Sequence, residues 1–125
     1  KVKKEIISAK APGAIGPYSQ AVAAGNLIFV SGQLPINAAT GEMPEDIKGQ
    51  TRQSIENIKA ILEEAGATLD NVVKSTCFLA DMSLFGPMNE VYAEMFHKVF
   101  PARCAFAVKE LPKKALVEIE VIAAL

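Results

Sequence analysis

Tryptophan is absent from this chain, aromatic residues make up only 6% of it, and there is a single histidine, His97. A core must therefore be assembled from Ile, Val, Leu, Ala and six phenylalanines. Sparse aromatics without interleaved basic residues disfavour a platform on which nucleic-acid bases stack. P-loop, GxGxxG, HExxH and GxSxG patterns are all missing, which disfavours metal-dependent and triad-type enzymes. His97, beside Phe96 and Lys98 near a helix C-terminus, suits a structural or surface role, because a protonated imidazole is welcome there. Cysteine is scarce as well. Cys77 and Cys104 lie far apart in apolar surroundings and in no CxxC or Cys/His pattern, so a disulfide framework is not expected. No apolar run approaches the roughly 20 residues of a membrane span, and no charged start precedes an apolar signal segment. The expected location is cytoplasmic, or an organelle lumen reached by a lost presequence. Neither sign of charge is in excess: 13 basic and 14 acidic residues give a net charge of -1. No global field then attracts a nucleic-acid backbone or an anionic membrane. Lys1, Lys3 and Lys4, and later Lys109, Lys113 and Lys114, are short solvated clusters rather than a basic stripe.

What remains is a chain of 125 residues, half of them apolar, enough for one well-buried core and too little for two ordinary domains. Residues 1–125 are expected to form a single domain. After Ile6 and Ile7 comes a Pro- and Gly-blocked loop, Ala11 to Pro17, immediately followed by Tyr18. Ala21–Ala24 and Leu27–Leu34 read as strands joined by a Gly25-Asn26 hairpin turn. From Asp46 to Ala65, Ile47, Ile55, Ile58, Ile61 and Leu62 recur at helical spacing, with Gly66 placed to end the helix. Val72–Ala80 carries apolar residues at both parities and reads as a strand covered on both faces. A second amphipathic helix is predicted from about Leu84 to Val99, with Pro87 tolerable only in its first turn. Cys104–Val108 and Leu116–Ala124 complete a β-β-β-α-β-α-β-β order, most simply an α+β fold with both helices on one face of a mixed sheet. The other face, apolar and uncovered, should be buried against further copies of the chain.

Few residues stand out as carriers of chemistry. Arg103 follows Phe100-Pro101-Ala102 and opens a strand, which puts a planar guanidinium at the sheet's edge on a proline-fixed backbone, suited to gripping a carboxylate. A salt bridge to Glu118 or Glu120 would explain it equally well. Those two glutamates alternate with Val117, Ile119 and Val121, so they leave the same sheet face about 7 Å apart. On a solvated face they are merely polar; on a covered one, at least one carboxylate needs a partner or a task. Ser31-Gly32-Gln33 is either a simple turn or a place where backbone donors approach a ligand. Asn89 can cap the second helix, donate to a ligand or face water.

Taken together, Gly16-Pro17-Tyr18-Ser19-Gln20-Ala21, Val30-Ser31-Gly32-Gln33, Met88-Asn89-Glu90-Val91-Tyr92, Phe100-Pro101-Ala102-Arg103 and Leu116-Val117-Glu118-Ile119-Glu120 resemble the signature set of the RidA/YjgF family. Each is weak alone; five in order span essentially the whole chain. The resemblance implies a chorismate-mutase-like α+β fold, a homotrimer with active sites between subunits, and no cofactor. It further implies hydrolysis of reactive 2-imino acids, such as 2-iminobutanoate and 2-iminopropanoate, to 2-keto acids and ammonia. Carried over, Arg103 would bind the substrate carboxylate and Glu118 would position the hydrolytic water. Tyr18, Ser31, Gly32 and Asn89 would line the cleft, and Cys104 would offer backbone atoms. Two departures concern loop shape: the segment from His97 to Phe100 is shorter than in some relatives, and Lys114 stands where a glycine is often found. Competing readings are a carboxylate-binding or sensing module without turnover, an endoribonuclease or translation inhibitor disfavoured by the charge balance, and a chaperone-like protein that would have to expose its apolar surfaces.

Overall fold

The structure, a computed structural model, describes residues 2–125; Lys1 of the N-terminal lysine cluster lies outside the described residues. Eight main elements follow in the expected order: β1 (Lys4–Ile6), β2 (Ala21–Ala24), β3 (Leu27–Gln33), α1 (Ile47–Glu64), β4 (Val72–Leu79), α2 (Phe85–Met95), β5 (Ala102–Ala107) and β6 (Val117–Ala124). The strands form one sheet in the order β1-β2-β3-β6-β4-β5. Only β4 and β5 run parallel, and α2 supplies the crossover that a parallel pair requires. The last strand is thus inserted into the middle of the sheet, between β3 and β4.

Helix α1 forms because its apolar residues recur every three or four positions; Thr51, Ser54, Ile55, Ile58, Ile61 and Leu62 are all buried against β3 and β6. It ends where Gly66, at a φ of 77°, takes the left-handed conformation that a side chain resists. Two buried amides on this helix fix the chain around it. Gln50 donates to the Pro44 carbonyl and accepts from the Leu116 N–H, while Asn57 donates to the Leu34 and Ile36 carbonyls just beyond β3. Gly25, at a φ of 60°, makes the tight turn between β2 and β3.

Helix α2 is shorter than its apolar spacing suggests. It stops at Met95, Phe96 is extended, Lys98 takes a φ of 59°, and Val99 stands 90% exposed. Beyond the last turn the chain must reorient to enter β5 through Pro101, so His97 lies after the helix rather than near its end. Pro87 is the third helical residue, where its missing N–H costs no hydrogen bond.

Strand parity separates two faces. Val117, Ile119, Val121 and Ala123 of β6, and Ser75, Cys77 and Leu79 of β4, are buried beneath the helices. Glu118, Glu120, Thr76, Lys74, Phe78 and Phe29 lie at the opposite parity. This second face, expected to be simply apolar, is mixed. Phe29 and Phe106 remain over 40% exposed, Phe78 and Phe106 pack edge to face with centroids 5.6 Å apart, and carboxylates lie beside them. Cys104 pairs in register with Thr76 rather than Cys77, so the two cysteines leave opposite faces and both are free thiols. Among the described residues no helix is long and apolar enough to cross a membrane.

Candidate functional site

Arg103 lies side by side with Ser75 in the parallel ladder, on the helix-covered face near the sheet's edge. Its guanidinium is held on three sides by α2. The Asn89 side-chain oxygen accepts a 2.7 Å hydrogen bond from Nη1. The Tyr92 ring lies 4.8 Å from Cζ and the Phe85 ring 5.5 Å, stacking distances at which an aromatic face attracts a cation. Asn89, Tyr92, Ala93, Phe100, Pro101 and Arg103 line an open cleft of about 430 Å³. One strong multidentate donor in a mostly apolar recess is suited to a small carboxylate carrying an apolar substituent. Tyr92 is itself fixed by a 2.7 Å hydrogen bond to Ser75 Oγ, and burial raises its pKa. Cys77 lies on the same face, its thiol pushed up to about 11 by burial and thus protonated at neutral pH.

Glu118 leaves the other face. It pairs in register with Phe78, three residues along β4 from Arg103's neighbour Ser75, and side chains three apart on a strand point oppositely. The salt bridge from Arg103 to Glu118 or Glu120 is therefore not formed; the ion pairs among the described residues are Lys48–Glu90, Arg52–Glu94 and Lys98–Asp70. Glu118 lies instead against the backbone of β3. Between the pairs Val30↔Val121 and Gln33↔Ile119, β3 has two residues, Ser31 and Gly32, where β6 has one, which makes a β-bulge. A methyl group added to Gly32 would overlap Glu118 Oε1 and stand 2.9 Å from its Cδ, so glycine is what admits the carboxylate. Burial, and secondarily the charge of Glu120, raise the Glu118 pKa, favouring a carboxyl that takes up a proton more readily than usual.

Tyr18 belongs with this second group. Pro17, Tyr18, Ser19, Phe29, Ser31 and Glu120 are among the residues lining a shallow recess of about 460 Å³. Ser31 Oγ donates to the Ser19 carbonyl over 2.6 Å and the Ser31 N–H donates to the Gln20 carbonyl, fastening the Tyr18 loop to β3. The loop's other end is held by the buried Gln20 side chain, which accepts from the Ser8 N–H and donates to the Ser8, Ala11 and Pro12 carbonyls. Cys104 is exposed on the same sheet face as Glu118. The seven candidates thus fall into two groups, Arg103 with Asn89 on one face and Tyr18, Ser31, Gly32, Cys104 and Glu118 towards the other. Tyr92 and Phe85 were not singled out from sequence; Tyr92, at helical spacing with Met88, Met95 and Phe96, fits a core position, and its place close to Asn89 on one helix was the available signal.

Residues 8–125 match the family described as endoribonuclease L-PSP. The chain is 57% identical to a RutC family protein of Pyrococcus abyssi, over 97% of this chain and 96% of that one. It is 46% identical to the 2-iminobutanoate/2-iminopropanoate deaminase of Escherichia coli K12, over 98% of each. Among solved structures, E. coli TdcF with bound serine superposes with a TM-score of 0.95 at 42% identity, covering 98% of both chains.

Proposed function

The chain belongs to the endoribonuclease L-PSP family, the RidA/YjgF proteins, and from that premise we propose that it is a hydrolytic deaminase converting 2-imino acids such as 2-iminobutanoate and 2-iminopropanoate to 2-keto acids and ammonia. The observation that carries this reading is the Arg103 cradle: a guanidinium held by Asn89, Tyr92 and Phe85, bound to no carboxylate among the described residues, at the mouth of an apolar cleft. The relative with bound serine holds a small molecule with a carboxylate, in keeping with such an anchor.

In this mechanism Arg103 binds the substrate carboxylate and orients C2 of the protonated imine. Glu118 orients a water molecule and accepts its proton as the oxygen attacks C2; it then returns that proton to the carbinolamine nitrogen, and as the C–N bond breaks the hydroxyl gives its proton back to Glu118, leaving the 2-keto acid and ammonia. Orientation with general-base help of about 10²–10⁴-fold is sufficient, because imines already hydrolyse in water. The raised pKa of Glu118 suits a base. No cofactor enters the scheme.

Arg103 and Glu118 leave opposite faces of the sheet, so one copy does not assemble the site. Arg103 stands on edge strand β5, where its cleft meets the rim of the molecule. The exposed Phe29 and Phe106 on the face bearing Glu118 suit burial against another copy. A homotrimer with sites between subunits brings the halves together, in a cytoplasmic enzyme of one domain over residues 1–125 without membrane or nucleic-acid partners.

The test generates 2-iminobutanoate in situ with threonine dehydratase and follows its decay. Wild type should accelerate decay and Arg103→Ala should not. No acceleration by well-folded wild type that still binds 2-keto acids would move the reading to a carboxylate-binding module.

A further inference from the structure

Ser75 of β4 and Arg103 of β5 are adjacent under α2, and Tyr92 touches both. Its hydroxyl is bonded to Ser75 Oγ, and its ring face lies beneath the guanidinium. The residue is only 4% exposed, and the Phe96 ring packs beside it with centroids 4.5 Å apart. Tethered at the hydroxyl and packed against the Phe96 ring, the ring is held in one orientation. The guanidinium carbon lies over that ring while Asn89 holds Nη1, so the two contacts together set how the planar group faces the cleft. An ammonium group has no plane to stack, so the same shelf gives a lysine no direction.

We propose that Tyr92, tethered by Ser75, is the positioning residue that fixes the guanidinium plane of Arg103 and makes this half-site grip a carboxylate through arginine and not through lysine. The inference rests on the reading of Arg103 as the carboxylate anchor. It assigns Tyr92 a role through Arg103, beyond filling the core.

Calorimetric binding of 2-oxobutanoate tests it, with circular dichroism as the check on folding. Tyr92→Leu should weaken binding roughly tenfold, and Tyr92→Phe, which keeps the ring, should restore it to within roughly threefold. Ser75→Ala should match Tyr92→Phe, because both remove the same hydrogen bond. In turnover, Tyr92→Leu should raise KM more than it lowers kcat. The penalty of Arg103→Lys should shrink in the Tyr92→Leu background, and also in Ser75→Ala, which loosens only the tether and keeps the comparison available if Tyr92→Leu fails to fold. Wild-type affinity in a folded Tyr92→Leu, or an undiminished Arg103→Lys penalty in Ser75→Ala, overturns the proposal while leaving the anchor intact. Wild-type affinity in Arg103→Ala overturns the anchor and this inference with it.

Discussion

Gly32→Ala probes the carboxylate of Glu118 without touching it chemically. The glycine is absent from the left-handed region, so alanine is compatible with the backbone, and replacing glycine there would by itself stabilise the fold by about 0.4–1 kcal/mol. The new methyl meets Glu118 Oε1, with Cδ at 2.9 Å and Cγ at 3.3 Å. Ordinary carbon contacts lie at about 3.5–4.0 Å, so the carboxylate has to swing away by roughly 1 Å. Misplacing a catalytic group by that much costs about 10²-fold in rate. A fall in kcat of about that size is expected, with stability within about 1 kcal/mol of wild type. Steady-state imine hydrolysis and denaturant unfolding measure these quantities. Gly86→Ala is the control, since nothing lies within 4 Å of its added methyl. Wild-type kcat in a folded Gly32→Ala protein would refute the role given to Glu118, whose atoms are the three nearest to the added methyl.

Glu120→Gln removes the like charge that helps raise the Glu118 pKa, so the acid limb of the kcat–pH profile should move to lower pH; an unmoved limb would break the coupling. A raised carboxyl pKa favours the folded state below the unfolded pKa, and that contribution is lost as pH rises through the folded one. Glu118→Gln should accordingly gain stability relative to wild type at neutral pH and lose the advantage in acid, as read from denaturant midpoints. Lys113 and Lys114 both hold a φ of 57°, a conformation costing a non-glycine residue about 1–2 kcal/mol. Lys114→Gly should recover about half of that after the entropy of a freer unfolded chain, raising Tm by a few degrees in calorimetry. Arg103→Ala and Glu118→Gln, each inactive alone, should regain activity when unfolded together and refolded as a mixture, because some sites then draw Arg103 and Glu118 from different chains; a mixture that stays inactive would place both groups in one chain.

Much of the fold was legible because it is local. The spacing of Ile55, Ile58, Ile61 and Leu62 specifies α1, Gly66 its end, Gly25-Asn26 the hairpin, and the alternation through Val117–Val121 a strand with one buried face. The overlong second helix was misread because Met95, Phe96 and Val99 keep helical spacing past the point where the approach to Pro101 takes over. The open face was expected to be apolar, since a pattern of hydrophobic residues shows that a face is covered but not by what. At Lys114 the backbone takes a φ of 57°, a demand that glycine meets without strain and that no spacing in the sequence reveals.

The candidate site was legible as a set of residue types and not as an arrangement. Parity within one strand puts Glu118 and Glu120 on a common face, but whether Arg103 shares that face depends on the register of β4 against two neighbours, Ser75↔Arg103 on one side and Phe78↔Glu118 on the other. A slip of one residue in either pairing would exchange the faces, and nothing local to either strand sets it. Tyr92 is what ties that register to chemistry. Its hydroxyl needs Ser75, and its ring needs Arg103 beside Ser75. The contacts that hold the guanidinium therefore also place it across the sheet from Glu118, and this separation is why the proposed deaminase site calls for a second copy of the chain.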